Sequence, residues 1–212
     1  MMPPSPPRVY LVTDPSGGSD LLSRTASALA GLPPGVAAVQ LRARDATGRE
    51  LLEAARGLRL VVSRAGQRLL VNDRVDVALA AGADGVHLPS AGIPPGDARA
   101  LVGEGRLVAV SCHSAADVAR AREGGADFAT FGPVFDTPSK RRYGAPVGLE
   151  RLREAATLGL PLVGLGGVDR SNAPAVVAAG ARGVAAIRAW LEAKDPAAVV
   201  RELLEAVEAG KR

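Results

Sequence analysis

Short apolar runs alternate with amphipathic stretches along this chain, and the alternation repeats eight times. Helical periodicity separates the runs, as at Gly48–Arg64, Ala115–Glu123 and Pro196–Ala209. A strand followed by a helix, repeated eight times in about 200–250 residues, is typical of an α/β protein of the (β/α)8 TIM-barrel class. The predicted strands are Val9–Thr13, Val36–Leu41, Arg68–Val71, Gly85–Leu88, Leu107–Ser111, Phe128–Phe131, Leu162–Gly164 and Gly183–Ile187.

The same periodicity predicts how the chain divides into domains. No Pro/Ser-rich linker interrupts the alternation, so residues 8–212 are predicted to form a single TIM-barrel domain. Residues 1–7 are proline-rich and are predicted to be a disordered N-terminal tail. A weak repeat at Ala81–Val86, Gly124–Ala129 and Ala179–Val184 predicts helices that end at a left-handed glycine before the next strand.

Composition narrows the classes of function. Apolar residues make up 47% of the chain and aromatic residues 3%, so the core must be built from Ala, Val and Leu. Basic residues are scattered without interleaved aromatics and the net charge is +4, which favours an anionic small molecule over nucleic acid. No apolar run approaches the ~20 residues that span a bilayer, and we expect a cytoplasmic protein with no membrane partner. The single cysteine, Cys112, is interpreted as a buried hydrophobe, with a nucleophile next to His113 as the alternative.

Polar residues follow almost every predicted strand. Chemistry in a TIM barrel is assembled at the carboxyl ends of the strands, so these residues predict a site on one rim. The two histidines, His87 and His113, both close a strand, and histidine exchanges protons near neutral pH. The candidate residues on this rim are Asp14, Gln40, Arg42, Arg44, Asn72, Asp73, His87, Ser111, His113, Thr137, Ser139, Lys140 and Arg188.

A phosphate site is predicted where strands seven and eight end. Gly166-Gly167 follows strand seven and Arg188 follows strand eight, where TIM barrels often bind phosphate through exposed N–H groups. Lys140 lies on the long loop after strand six, where it reaches a phosphate or, alternatively, is a solvated loop charge. The glycine-flanked ends and basic tip of the loop from Asp136 to Gly144 suggest a lid, and the sequence leaves open whether it closes over substrate.

Several motifs in order resemble the thiamin phosphate synthase / TenI superfamily, from Val9 to about Trp190. The resemblance implies that Gln40, Arg42, Arg44, Asn72, Ser111, Thr137 and Ser139 contact substrate. It also implies that Lys140, Gly166, Gly167, Ile187 and Arg188 hold phosphate. The motifs are Gln40-Leu41-Arg42, the runs Asn72–Asp76 and Gly82–Leu88, Ser111-x-His113-Ser114, and the runs Gly132–Lys140 and Gly164–Val168.

The superfamily contains two activities, and one position separates them in this chain. In the synthases that this chain resembles, a second aspartate joins the aspartate that matches Asp73 in holding Mg²⁺ on a pyrophosphate. In this chain Gly92 occupies the position of that second aspartate. Arg44 replaces a lysine of the synthase pattern, and arginine is not equivalent to a lysine point charge. TenI-like tautomerases commonly show Leu-Pro-Ser after strand four, as at Leu88-Pro89-Ser90.

The sequence analysis therefore favours a TenI-like thiazole tautomerase that aromatises a carboxythiazole phosphate. In that hypothesis His113 transfers the proton and no metal is required, while His87 is structural. The alternative is a thiamin phosphate synthase that joins a pyrimidine pyrophosphate and a thiazole phosphate, with Mg²⁺ held by Asp73. A non-catalytic regulatory binder of thiazole phosphate is the second alternative, and a phosphate-binding barrel enzyme of amino-acid biosynthesis is a distant one. The sequence leaves open whether Asp73 binds substrate or caps the following helix, and whether the protein forms a homodimer.

Overall fold

A computed structural model describes residues 5–14, 20–137 and 145–211, which form a closed parallel barrel surrounded by helices. Each strand pairs with the next in sequence order, and β1 pairs with β8 to close the barrel, with Val9 opposite Val184. The (β/α)8 TIM-barrel prediction and the prediction of a single domain are confirmed. The strands are β1 Val9–Val12, β2 Ala37–Leu41, β3 Arg68–Asn72, β4 Gly85–Leu88, β5 Leu107–Cys112, β6 Phe128–Phe131, β7 Leu162–Leu165 and β8 Gly183–Ala186.

The helices of the described ranges lie between and after the strands. The three helices predicted by residue range have the predicted bounds. Strand ends differ from the predictions by at most one residue; β8, for example, stops at Ala186 because Ile187 already begins the next helical turn. The helices are α1 Leu21–Leu29, α2 Gly48–Arg64, α3 Val75–Ala80, α4 Pro95–Val102, α5 Ala115–Glu123, α6 Gly148–Ala156, α7 Ala173–Ala178, α8 Arg188–Leu191 and α9 Pro196–Ala209.

Helix α2 shows how local sequence sets these bounds. The Thr47 hydroxyl accepts a hydrogen bond from the Glu50 N–H at 3.3 Å, and the Glu50 carboxylate accepts from the Thr47 N–H at 2.8 Å. This reciprocal capping box satisfies donors that the first helical turn leaves open. The buried side chains then follow the helical period of three or four residues that faces the barrel; they are Leu51, Ala55, Leu58 and Val62.

Side chains of the strands alternate between two apolar layers. Successive strand residues point to opposite faces, so one set fills the barrel and the other packs under the helices. The barrel interior contains only a few aromatic rings, and Tyr10 and Phe128 are the large ones. The interior cluster is Tyr10, Val12, Ala38, Leu70, Leu107, Ala109, Phe128, Val163 and Ala185.

The repeated helix-to-strand turns have the backbone that the repeat predicts. Gly82, Gly125 and Gly180 all have positive φ, at 63°, 79° and 103°. A left-handed residue reverses the chain after each helix and feeds the next strand, a conformation that glycine adopts without steric cost. These turns lie at the end of the barrel opposite the candidate site.

The start of the described chain contacts the barrel. Pro7 is buried, and the Ser5 carbonyl accepts a hydrogen bond from Arg68 at 2.8 Å. Residues 1–4 lie outside the described residues, so the disordered tail predicted at 1–7 stays a prediction there. Among the described residues, no helix combines the length and apolar character needed to cross a membrane.

We expect Gly85→Ala to destabilise the barrel strongly. A Cβ at Gly85 would lie 2.3 Å from the Leu107 carbonyl oxygen, which is fixed in the neighbouring strand and has no room to move away. The loss should be about 1–3 kcal/mol or more, as for other overpacked cores.

Gly105→Ala is the matched control, because a Cβ at Gly105 meets no atom within 4 Å. Urea unfolding of both variants measures the difference. A Gly85→Ala protein that unfolds within about 0.5 kcal/mol of the Gly105→Ala protein would contradict the packing argument.

Candidate functional site

Four strands place a polar side chain at the carboxyl end of the barrel interior. Every second residue of a strand faces the barrel interior. The interior-facing residues that follow Ala38, Leu70 and Ala109 are therefore Gln40 on β2, Asn72 on β3 and Ser111 on β5. Thr130 on β6 follows the same rule after Phe128. The upper end of the barrel is therefore polar, whereas the layers beneath it are apolar.

A buried hydrogen-bond network crosses the barrel just below this rim. The Gln40 side-chain amide lies 3.2 Å from the Tyr10 hydroxyl, which lies 3.1 Å from His87 Nδ1. His87 Nε2 lies 2.9 Å from the Ser111 hydroxyl and 3.4 Å from the Thr130 hydroxyl. These five residues are called the Tyr10–His87 network below. It joins β2 to β5 through the interior, so two of the predicted substrate contacts, Gln40 and Ser111, are physically linked.

Burial keeps the His87 imidazole neutral. The residue is 1% exposed, and desolvation together with the positive charge of Arg42 lowers the pKa of His87 from 6.5 to about 3. Burial likewise raises the pKa of the Tyr10 phenol well above its ordinary value. The Tyr10 ring packs at 5.6 Å from the His87 ring and edge-on to Phe128. Both polar groups therefore act as neutral hydrogen-bonding groups.

His113 occupies a different environment, at the exposed start of the loop after β5. Its Nδ1 lies 2.6 Å from the Gly132 carbonyl oxygen, which only accepts, so Nδ1 carries a proton. Its backbone N–H donates to the Asp117 carboxylate at 2.9 Å, one turn into α5. His113 therefore ties the loop after β5 to the loop after β6.

The Gly166-Gly167 turn packs against the loop after β6. Gly166 has φ 102° and Gly167 has φ 65°, and a Cβ on Gly166 would lie 2.6 Å from Pro133. The Phe135 N–H donates to the Gly166 carbonyl at 3.0 Å. Because these glycines have no side chain, the loop after β7 and the loop after β6 can approach each other. The turn lies at the predicted rim.

The other predicted phosphate and substrate positions are only partly described. The Thr137 hydroxyl is buried without a hydrogen-bond partner in the described part of the loop. Ser139, Lys140 and most of the predicted lid lie in 138–144, outside the described residues. Ile187 caps the four-residue helix α8, whose Trp190 donates its indole N–H to the Val12 carbonyl at 3.2 Å.

Two arginines follow β2 toward the same rim. Arg42 is half-buried, and its N–H donates to the Thr13 hydroxyl at 2.8 Å, which holds it against the end of β1. Arg44 and Arg188 are exposed. All three residues follow strand ends at the rim where β2 and β5 place Gln40 and Ser111.

Asp73 is an exposed residue with a left-handed backbone at φ 65°. Its N–H donates to the His87 carbonyl at 2.9 Å, which links the ends of β3 and β4. Helix α3 begins after Arg74 without a side-chain cap, so the alternative in which Asp73 caps that helix is wrong. Aspartate tolerates this conformation better than most residues.

The residues present do not fit a two-carboxylate Mg²⁺ site. The Gly92 N–H donates to the Pro89 carbonyl at 2.9 Å and closes a turn, and a Cβ at Gly92 would lie 2.9 Å from Pro89 Cδ. A carboxylate at position 92 would require this turn to shift. Within 5–14, 20–137 and 145–211, no group of three or more His, Cys, Asp and Glu residues is placed to hold a metal.

Cys112 is buried on the outer face of β5, and burial raises the pKa of its thiol to about 12. The thiolate is the reactive form, so the nucleophile alternative has no support here.

Sequence analysis missed Tyr10 and Thr130 as members of the site. Both lie inside predicted apolar strands, and neither was named as a candidate residue. The signal that could have identified them is a polar residue at an interior-facing position of a strand. A buried hydroxyl needs a hydrogen-bond partner, so such a residue indicates a neighbouring polar group.

Comparison with known proteins identifies relatives along nearly the whole chain. The family model TMP-TENI, described as thiamine monophosphate synthase, matches residues 9–190. A putative thiamine-phosphate synthase from Geobacter sulfurreducens is 52% identical over 201 residues, covering 92% of each chain. A thiamine-phosphate synthase from Moorella thermoacetica is 41% identical and covers 94% of each chain. The solved thiamine phosphate pyrophosphorylase from Pyrococcus furiosus superposes with a TM-score of 0.85 at 31% identity, covering 96% of each chain.

These relatives correct the preferred hypothesis of the sequence analysis. The thiazole tautomerase, an isomerase, is wrong as the main interpretation, and the synthase alternative is the one that the relatives support. The resemblance to the superfamily itself is confirmed. The error came from giving the missing carboxylate at Gly92 more importance than the pattern of the whole chain.

The buried neutral His87 predicts a pH dependence of stability. Because its folded pKa of about 3 lies below the unfolded value of 6.5, only the unfolded state takes up a proton as the pH falls below 6.5. Stability should therefore be lost on acidification by up to about 1.4 kcal/mol per pH unit. Urea unfolding between pH 6.5 and about pH 5 measures this slope above the range where carboxylates titrate.

The control is His87→Gln, which lacks the titrating ring and should show a flatter slope over that range. Parallel curves for the two proteins would contradict the assignment. If the variant does not fold, the His87 ring resonance of the wild type provides the same test, because the ring should stay neutral down to about pH 5.

Proposed function

We propose that this chain, which belongs to the thiamine monophosphate synthase family, joins a pyrimidine pyrophosphate to a thiazole phosphate and releases pyrophosphate. The observation that carries the proposal is 52% identity to a putative thiamine-phosphate synthase across 92% of both chains. The resemblance of the strand-end motifs to the superfamily implied this synthase as the alternative. A transferase thus replaces the isomerase as the assigned class of enzyme.

The proposed reaction is a substitution in which pyrophosphate is the leaving group. The thiazole ring nitrogen donates its lone pair to the pyrimidine's side-chain carbon as the bond from that carbon to the pyrophosphate oxygen breaks, and pyrophosphate departs with the electron pair of the broken bond. Negative charge therefore grows on the leaving oxygen, and preorganised positive groups stabilise it. Arg42 and Arg44, which follow β2 on the site side of the barrel, are the side chains we assign to that role.

The neutral polar groups of the upper rim suit the uncharged pyrimidine ring. Gln40, Asn72 and Ser111 face the interior from three strands, and Gln40 and Ser111 are held by the Tyr10–His87 network. Side chains that are fixed before the ligand arrives lose little conformational entropy on binding. We assign them to holding the ring so that its reacting carbon faces the thiazole.

The thiazole phosphate is assigned to the opposite part of the rim. Gly166-Gly167 and the start of α8 at Ile187 and Arg188 border it, and Thr137 brings a buried hydroxyl without a protein partner in the described residues. Ser139 and Lys140 belong to this group by the family resemblance. Barrels commonly bind phosphate where strands seven and eight end.

We derive no step through Mg²⁺, because Gly92 leaves the two-carboxylate pattern incomplete. Asp73 lies beside the rim, where its left-handed backbone and the hydrogen bond from its N–H to the His87 carbonyl position it. The expected small-molecule partner is the phosphorylated thiazole. A homodimer and a cytoplasmic location stay predictions.

The decisive assay measures pyrophosphate release from pyrimidine pyrophosphate and thiazole phosphate. We expect pyrophosphate and the joined product to appear in equal amounts, with no release when thiazole phosphate is omitted. Mg²⁺ is included because free diphosphate in solution binds it. Binding of thiazole phosphate without any turnover would contradict the proposal and favour a regulatory binder.

Arg44→Gln should lower kcat/KM by about tenfold to a hundredfold, as for loss of a charged hydrogen bond. Arg44→Lys should retain more activity than Arg44→Gln but less than wild type, because it keeps the positive charge and loses the bidentate geometry of the guanidinium group. Arg49→Gln, an exposed residue on α2, is the control and should behave as wild type. Equal rates for Arg44→Gln and Arg49→Gln would remove Arg44 from the proposed site.

A further inference from the structure

The distances in the Tyr10–His87 network are compatible with two opposite directions of hydrogen-bond donation. In one direction Gln40 donates to Tyr10, Tyr10 donates to Nδ1 of His87, and Nε2 donates to Ser111. In the reverse direction Ser111 donates to Nε2, Nδ1 donates to Tyr10, and Tyr10 donates to the carbonyl oxygen of a turned Gln40 amide. The two directions correspond to the two neutral tautomers of His87.

The surroundings of His87 Nε2 favour the first direction. Two hydroxyl oxygens lie around Nε2, that of Ser111 at 2.9 Å and that of Thr130 at 3.4 Å. A single N–H proton is readily shared between two acceptors, whereas the single in-plane lone pair of Nε2 would have to accept two donors.

The chemistry of the central contact gives the same direction. The proton of a phenol is more acidic than that of a neutral imidazole, and an imidazole nitrogen is a better acceptor than a phenol oxygen. In the barrel interior, where Tyr10 is 0% and His87 1% exposed, water does not compensate for the weaker arrangement.

From this geometry we infer that the Tyr10–His87 network holds His87 as its Nε2–H tautomer and so makes Ser111 a hydrogen-bond donor to the bound ligand. The Ser111 hydroxyl accepts from Nε2, and its own proton is then left for another acceptor. Ser111 is half-buried at the open end of the barrel, and its hydroxyl has no further hydrogen bond in the described part of the protein. The ligand atom that it meets must be an acceptor, such as an unprotonated ring nitrogen.

The inference makes Tyr10 and His87 positioning residues, because neither needs to touch the substrate. The identity of the ligand rests on the proposed function, where a pyrimidine supplies such ring nitrogens. The tautomer of His87 does not rest on the proposed function, because it is a property of the protein without ligand. The two statements therefore fail separately.

The test uses the whole protein labelled with ¹⁵N-histidine, which contains two histidines. A long-range ¹H–¹⁵N correlation spectrum near neutral pH assigns the protonated nitrogen of each ring. We expect Nε2–H for His87 and a bonded Nδ1–H for His113, which donates to Gly132. His87→Gln assigns the signals by loss of one set. An Nδ1–H tautomer for His87 would overturn the inference, whatever the enzyme assay shows.

Tyr10→Phe removes the donor to Nδ1 while it keeps the ring. We expect the variant to populate both His87 tautomers and to raise KM for the pyrimidine substrate about tenfold, with a smaller change in kcat. Phe128→Leu is the matched packing control, because Phe128 contacts the same face of the interior without a hydroxyl. It should leave the tautomer and KM unchanged.

Ser111→Ala should raise KM for the pyrimidine substrate to a similar extent, because it removes the donor that the network leaves free for the ligand. A Tyr10→Phe protein with wild-type KM, or a Phe128→Leu protein with the same tautomer mixture, would overturn the positioning role. Absence of turnover in the wild type would remove the proposed function and leave the tautomer result standing.

Discussion

The interior of a closed parallel barrel must be filled, and each polar atom placed there must find a partner. In this protein the Tyr10–His87 contact meets both requirements. The two rings fill the upper interior, and their polar atoms connect β1 to β4 and onward to β2 and β5. Glycine at 85 belongs to the same packing, because Leu107 occupies the space beside it. The site residues at the rim are thus supported by an interior that has little freedom to rearrange.

Sequence alone predicted the fold because its signals were local and repeated. Short apolar runs and helices with a period near 3.6 alternated regularly, and each helix-to-strand turn of the repeat was marked by a glycine that the structure places at positive φ. The bounds of α2 followed from Thr47 and Glu50, which cap it. Small errors remained at strand ends, as at Ile187, because the end of a strand depends on pairing with neighbours that the sequence does not display.

The candidate site was predictable in its location but not in its connections. Gln40 and Ser111 were identified from their place at the carboxyl ends of strands two and five, and the structure brings them to one rim. Their link through Tyr10 was not visible, since Tyr10 and His87 lie 77 residues apart and each appeared to be an ordinary member of a buried strand. Only closure of the barrel between β1 and β8 places these two residues face to face.

The mistaken preference for a tautomerase shows what one position can and cannot decide. Gly92 was interpreted as the loss of an activity, yet a missing carboxylate also changes the electrostatics of the rim. One fewer negative charge near a diphosphate lowers the repulsion that the ligand meets, and Arg42 and Arg44 keep their positive charge. Arginine also binds phosphate oxygens in a bidentate way that a lysine lacks. A rim of this composition favours direct binding of an anion by guanidinium groups, so the substitution at Gly92 is compatible with the chemistry of the relatives that it first seemed to exclude.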